Sequence, residues 1–474
     1  MRIFVQALVV ALTLSLFGSC QKENDGDSSG KLLSFSSDTI AFDTLFTTIG
    51  SPTKNLRVYN ATSNRVNISS IELAGGDKSS FRLNVNGEAT NEVLNLEIPA
   101  HDSIFIFIEA LFDKSAASQI MVAEDSILFR VNNKEQKVRL IAWGQDFKLV
   151  KSEMLKTTTW TKEKPYLVYN YAFVDSTQTL TIDPGCTIYF HKNAGLIIKG
   201  KLRVNGTLEE PVIFKGDRLE SGYANLPDQW SGITLLSGSH DNLINHCIIK
   251  NANIGLQVGT IEKEGFASVE LANTRIENMS WSGIWAMKSK ILAYNCIIAN
   301  VGYYNTALLL GGDYRFYHTT FSNNSIYNFN NIRRTETLTL SNYLVSNKDG
   351  AKYVGDLNQA VFGNCIISGL NRDELNISMD KQGKSNYLFD HCLLQISDTF
   401  KLTSPDRFVG ISRNIPPRFI NPQKGNYELD TLSVAKDKGK DAYAKIVPLD
   451  YKGVDRTVDA GPDLGAYERI EKKK

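Results

Sequence analysis

Six cysteines, a recurrent asparagine and a group of tryptophans and tyrosines are the residues of this 474-residue chain whose type and spacing could do chemistry. Thiols can bind a metal, pair as disulfides or act as nucleophiles. There is no C-x-x-C and no Cys/His pair at zinc spacing, so no metal and no cofactor is expected. Four of the thiols, Cys247, Cys296, Cys365 and Cys392, instead occupy the second place of a six-residue phrase. The phrase begins at His246, Asn273, Asn295, His318, Asn342, Asn364 and His391, and its second residues, the anchors at 247, 274, 296, 319, 343, 365 and 392, are spaced by 27, 22, 23, 24, 22 and 27. So short and even a period marks a solenoid. Cysteine repeated at one position of a coil then behaves as a small buried hydrophobe, and free stacked thiols follow.

Four places after the anchor stand Asn251, Asn278, Asn300, Asn323 and Asn347, a row that lapses at Gly369 and Ile396. Asparagine tolerates the left-handed backbone of a tight bend, and stacked amides can bond from coil to coil. The row reads as a structural ladder. On a strand the anchor and the residue two places later share a face, here the interior. One place after the anchor come Ile248, Arg275, Ile297, Thr320, Leu344, Ile366 and Leu393, five of them apolar and facing outward. Such a stripe is covered or used, and a long loop or the preceding domain is the expected cover.

Catalysis would need a positioned base or a pair of carboxylates. Candidate cations exist at Lys288, Arg333, Arg334 and Arg372, but nothing in the sequence places one against a carboxylate cluster, and Asp373-Glu374 and Glu262-Lys263-Glu264 read as polar turns. No catalytic residue is therefore assigned. The aromatic residues carry more. Seven places after the anchor stand Trp281 and Tyr303, and eight places after stand Tyr304 and Tyr327. Equivalent positions on neighbouring coils lie about 4.8 Å apart. With Trp285 and the loop containing Tyr314, they predict a platform for flat sugar faces, since aromatic rings offer apolar area with a polar edge.

The elements that must hold these residues follow from the rest of the chain. A length of 474 residues exceeds what one core supports, so more than one domain is expected. Fifty-two Lys and Arg against 51 Asp and Glu leave a formal charge of +1, which argues against a nucleic-acid partner. Met1-Arg2 and the apolar residues 3–17 have the form of a secretory signal too short to span a bilayer. Leu16-Phe17-Gly18-Ser19-Cys20 resembles a bacterial lipobox, with Phe17 where that pattern prefers Leu. The polar, acidic stretch 21–30 is similar to the export signal of surface lipoproteins of the Bacteroidetes. These resemblances imply lipidation at Cys20, a membrane partner through that lipid, and an outward-facing outer-membrane location. The expected boundaries are a leader at 1–20, a flexible tether at 21–30, a sandwich at 31–148, a joint at 149–180, a coil at 181–468 and a tail at 469–474.

Within 31–148, short alternating runs such as Ile104-Phe105-Ile106-Phe107-Ile108 and Ile127-Leu128-Phe129-Arg130-Val131 are separated by turn residues, which predicts an all-β sandwich. The order of parts resembles the immunoglobulin-like modules of surface proteins. From Ile182-Asp183-Pro184-Gly185-Cys186 onward the chain is similar to the right-handed parallel β-helix of the pectate-lyase-like superfamily, and the run from Pro417 to Glu468 resembles the closing segment of bacterial β-helix surface proteins. The resemblance implies a C-terminal cap over the exposed edge of the last coil. The fold class expected is thus all-β, a right-handed parallel β-helix preceded by an immunoglobulin-like sandwich. The superfamily hosts many activities, so it fixes none. The reading preferred is a non-catalytic glycan-binding or adhesive surface protein, whose partner is a polysaccharide or another surface protein. A lyase or glycosidase acting on an acidic polysaccharide and a structural stalk are the alternatives.

Overall fold

The computed structural model describes residues 33–47, 49–112, 121–261, 265–323, 333, 335–346, 349–402 and 404–471. The leader, the tether, Cys20, Tyr327, Arg334, Asn347 and Glu262-Lys263-Glu264 lie outside the described residues. The chain divides into two compact units, Met1–Asp146 and Phe147–Lys474.

The first unit is a β-sandwich of two five-stranded sheets. One sheet holds Ser34–Phe35, Lys54–Tyr59, Ser103–Ala110, Phe81–Val85 and Glu88–Ala89; the other holds Thr39–Phe46, Lys134–Gln145, Met121–Val131, Val66–Leu73 and Glu92–Ile98. Alternation places Leu56, Val58 and Ile106 of one sheet against Ile68, Ile127, Phe129 and Leu140 of the other, all fully buried in one core. Thr39–Phe46 runs parallel to Lys134–Gln145, the other pairings of that sheet being antiparallel.

The second unit is a parallel coil whose rungs stack into three sheets. The first face carries the repeated phrase: Val212 pairs with Cys247, Cys247 with Thr274, and Ile297, Thr320, Ile366 and Leu393 follow in register. The anchor cysteines are buried as expected, and Cys186 joins the same row, since Thr187 lies in register with Ile213. The thiols of Cys186, Cys296, Cys365 and Cys392 donate to carbonyls of the neighbouring rung, as Cys392 Sγ does to Phe362 O at 3.2 Å. Burial pushes Cys186 up to about 11 and Cys296 up to about 12, so neither is a thiolate at neutral pH.

Three expectations are corrected. The phrase beginning at Asn342 is not a rung: Tyr343–Val345 forms an antiparallel hairpin with Lys352–Val354, and Thr320 pairs directly with Ile366. Two periods of sequence are thus one coil with an insertion, and Leu344 leaves the outward row. The stretch 149–180 is coil rather than joint, because Lys148–Leu155 and Tyr166–Val174 already pair in parallel. Finally, the closing segment covers the flank of the coil. Tyr427, Ala466 and Tyr467 bury Ile297, while Leu429, Ala435 and Leu464 bury Ile366 and Leu393. Gly425 O accepts from Arg275 Nη2 at 2.9 Å, and Tyr443 OH donates to Asp390 Oδ2 at 2.8 Å, so the segment spans the rungs from Arg275 to Asp390. At Ile297, Ile366 and Leu393 the outward apolar stripe is therefore interior surface of the unit, and this segment is its cover, while Ile248 is only half-buried.

Bends between faces fall at asparagine and histidine. Asn251, Asn278 and Asn300 are left-handed, with φ of 68, 61 and 54°. Asn278 Nδ2 donates to Asn251 Oδ1 at 3.4 Å and Asn300 Nδ2 to Asn278 Oδ1, while Asn323 Oδ1 accepts from Val301 N at 2.9 Å. A second left-handed corner lies just before the anchors, at His246, Asn273, Asn295, His318, Asn364 and His391. There Asn295 Nδ2 donates to Asn273 Oδ1, and Asn273 Nδ2 to Asn245 Oδ1, both at 3.0 Å.

Candidate functional site

The second face begins where the asparagine ladder ends. Past Asn278 the backbone turns through Ser280 and Trp281 into the strand Ser282–Tyr294, and the turn leaves no room for a side chain at Gly283, where a Cβ would stand 2.6 Å from Asn305 O. The next rung repeats the bend past Asn300, which brings Tyr303 beside Trp281. Their ring centroids are 4.6 Å apart at 31°, and both rings are open, at 36 % and 46 % exposure. Tyr304 is in register with Ser282, and its ring lies 6.3 Å from Trp281 and 5.7 Å from Trp285. Four of the expected platform residues therefore meet on two adjacent rungs.

Tyr314 does not join them. Its side chain is fully buried, its hydroxyl donates to Gly311 O at 2.7 Å, and its ring fills the space above Gly312, which has no side chain. Period-two alternation from Gly312 turns Tyr314 and Phe316 to the interior, and Phe316, Phe362, Phe389 and Phe408 stack there rung on rung. Of the candidate cations, Arg333 is held by a fully buried Glu374, which is therefore no ordinary polar turn. Arg372 donates to Thr399 Oγ1 at 2.7 Å, and Lys288 lies 5.6 Å over the Phe266 ring.

Along the coil axis the aromatic corner continues into polar groups that sequence reasoning missed. Trp281 N donates to Asn253 O at 2.9 Å, and Asp228 N to Ala252 O at 3.4 Å, so Asp228, Asn253 and Trp281 mark successive rungs of one corner. Asn253 Nδ2 donates to Ser280 Oγ at 2.8 Å, and Ser280 Oγ donates to Asp228 Oδ1 at 3.3 Å. No spacing rule finds Asp228, because it closes the irregular loop 217–229.

The third face is of another character. Its outward positions include Arg203, Glu270, Lys290, Asp313 and Arg315, which line an open groove of about 430 Å³. Tyr294 OH donates to Glu270 Oε1 at 2.9 Å, Gln359 Nε2 to Asp313 Oδ1 at 2.9 Å, and Lys201 Nζ to Asp241 Oδ2 at 3.0 Å. One flank is thus apolar and covered, one uncharged and aromatic, one charged and open.

These features define a right-handed parallel β-helix protein with an aromatic corner on one flank. Residues 168–326 match the family model described as a right handed beta helix region. None of the curated proteins matches the chain. Among solved structures, the chain is similar to the ASH/PapD-like domain of human CEP192, at 11 % identity over 24 % of this chain and 84 % of that one, with a TM-score of 0.17. It is also similar to a family 123 glycoside hydrolase from Clostridium perfringens that hydrolyses glycolipid glycan, at 12 % identity and a TM-score of 0.18 over 27 % of this chain. The match spans 30 % of the hydrolase.

Proposed function

We propose that this protein holds glycan without cleaving it, through Trp281 and Tyr303 with Trp285 and Tyr304 behind them, as an exported envelope protein anchored by a lipid on Cys20. The observation that carries the reading is the pair of open rings at 4.6 Å on adjacent rungs. Two such rings form a rigid apolar strip at little entropic cost, and a pyranose lays its C–H face on such a surface while its hydroxyls reach the polar edge. In this reading the sandwich, of immunoglobulin-like type, spaces the coil from the membrane.

Glycan-array binding of the purified chain tests it: Trp281→Ala with Tyr303→Ala should lower the signal at least about ten-fold, given the weight aromatic anchors carry in binding. An unchanged array profile rejects the site. For the anchor, radiolabelled palmitate should enter the expressed full chain and not its Cys20→Ala variant.

A second reading, cleavage of an acidic polysaccharide, is supported by the third-face groove, where Lys290 is in register with Asp313 and Leu292 between Glu270 and Arg315. Ultraviolet absorbance of unsaturated uronate products appearing in a polysaccharide panel would favour it over the first.

A further inference from the structure

We infer that the aromatic corner takes a neutral hexose or pentose chain and that Asp228 is the residue that turns uronates away; the inference rests on the glycan-binding reading above. Three observations carry it. First, the outward row of the second face holds no charge: in register run Ile197, Thr234, Gln257, Trp285, Ala307 and Thr339. The cations that would neutralise a uronate, Arg203, Lys290 and Arg315, line the groove of a different face.

Second, the loop 217–229 beside the corner is acidic. It carries Asp217, Glu220 and Asp228 against Arg218, and Arg218 is committed to Glu220 through Nη2 at 2.6 Å and Nε at 3.0 Å, with its guanidinium 3.9 Å from the Tyr223 ring.

Third, the polar groups at the rim are of the kind that read hydroxyls. Asp228 is exposed and uses Oδ1 to accept from Ser280, while its Oδ2 and Asn253 Oδ1 accept from no described residue. A carboxylate and an amide oxygen on adjacent rungs, joined through Ser280, can accept from hydroxyls of one sugar while its ring lies on Trp281. A sugar carboxylate in the same place would meet Asp228 as a like charge, and specificity obtained by repulsion needs only one such group.

The test is tryptophan fluorescence of the full chain, titrated with cellohexaose, mannohexaose and xylohexaose as neutral probes and with hexagalacturonate as the acidic one. The expected result is saturable quenching by at least one neutral probe and binding of hexagalacturonate at least about ten-fold weaker, a like-charge effect of ordinary size. Asp228→Asn should narrow that gap to about two-fold, mainly by admitting hexagalacturonate, with added salt acting in the same direction on the parent chain. Asparagine keeps the left-handed backbone found at Asp228, where φ is 63°, so the variant should fold. Hexagalacturonate binding as tightly as the neutral probes, or a gap untouched in Asp228→Asn, overturns the inference and leaves the platform standing. Silence from all four probes overturns the platform as well.

Discussion

Arg333 meets both oxygens of Glu374 through Nη2, at 2.6 Å and 2.7 Å, and the Glu374 side chain has no exposed surface. The same carboxylate accepts from Thr337 N at 2.8 Å, Thr337 Oγ1 at 2.8 Å and Asn371 N at 2.7 Å. Every lone pair is engaged, so this pair is a staple that fastens Arg333 and Thr337, just before the strand Leu338–Ser341, to the next rung, where Leu338 pairs with Leu375. Glu374→Gln should lower the unfolding free energy of the coil by about 3 kcal/mol, because a nearly buried guanidinium is left unpaired. Denaturant titration of the coil transition measures it; a shift below about 0.5 kcal/mol would show the pair to be dispensable.

The asparagine ladder separates two contributions at one position. Asn278→Ala should cost about 2–3 kcal/mol, combining left-handed strain with lost amide bonds. Asn278→Gly relieves the strain and should cost about 1 kcal/mol. Equal losses for the two variants would mean that backbone strain contributes nothing.

A chain ending at residue 416 would uncover Ile297, Ile366 and Leu393 at once. The expected outcome is binding of the dye ANS and self-association in sedimentation, since the uncovered stripe runs along one face and is broken by a single polar residue, Thr320. A truncated chain that stays monomeric and dye-silent would contradict the covering role of the closing segment.

Between Arg456 and Glu468 the closing segment holds a buried pair, Nη1 to Oε2 at 3.0 Å, and Arg456 Nη2 also reaches Asn295 Oδ1 at 3.0 Å. Burial and the adjacent Asp463 nonetheless push Glu468 up to about 8, and burial takes Asp463 to about 7. Carboxyls raised in the folded state keep protons that the unfolded chain has released, so their stabilisation is complete below the unfolded value and is lost as pH rises through 7 to 8. His318 works in the opposite sense: burial and Arg456 hold it well below 6.5, so it weakens the fold only on the acid side. The thermal midpoint of the coil should therefore fall by at least about 2 °C between pH 6.5 and 9. Glu468→Gln should flatten that slope, and a slope unchanged in the variant would assign the titration elsewhere.

The spacing of the phrase was enough to read the solenoid, the buried cysteine row and the left-handed asparagines, because each depends on residues adjacent in sequence. It misled at Asn342, where a hairpin imitates the phrase at the right interval. Only the pairing of Thr320 with Ile366 distinguishes an insertion from a rung. Alternation counted from the strand would have turned Tyr314 inward, but as part of a loop of aromatic residues it resembled Tyr303.

By itself, then, the sequence determined which residues point into the coil and where the chain bends, since alternation and left-handed φ are local properties of the backbone. What the three flanks are for was decided by tertiary structure. Ile297 and Ile366 are outward by alternation and interior by the return of residues some hundred positions later, and Ser280, the neighbour of Trp281, meets Asp228 only because loops of unequal length bring different rungs to the same corner. Loop length sets which rungs become neighbours, and no local pattern records it.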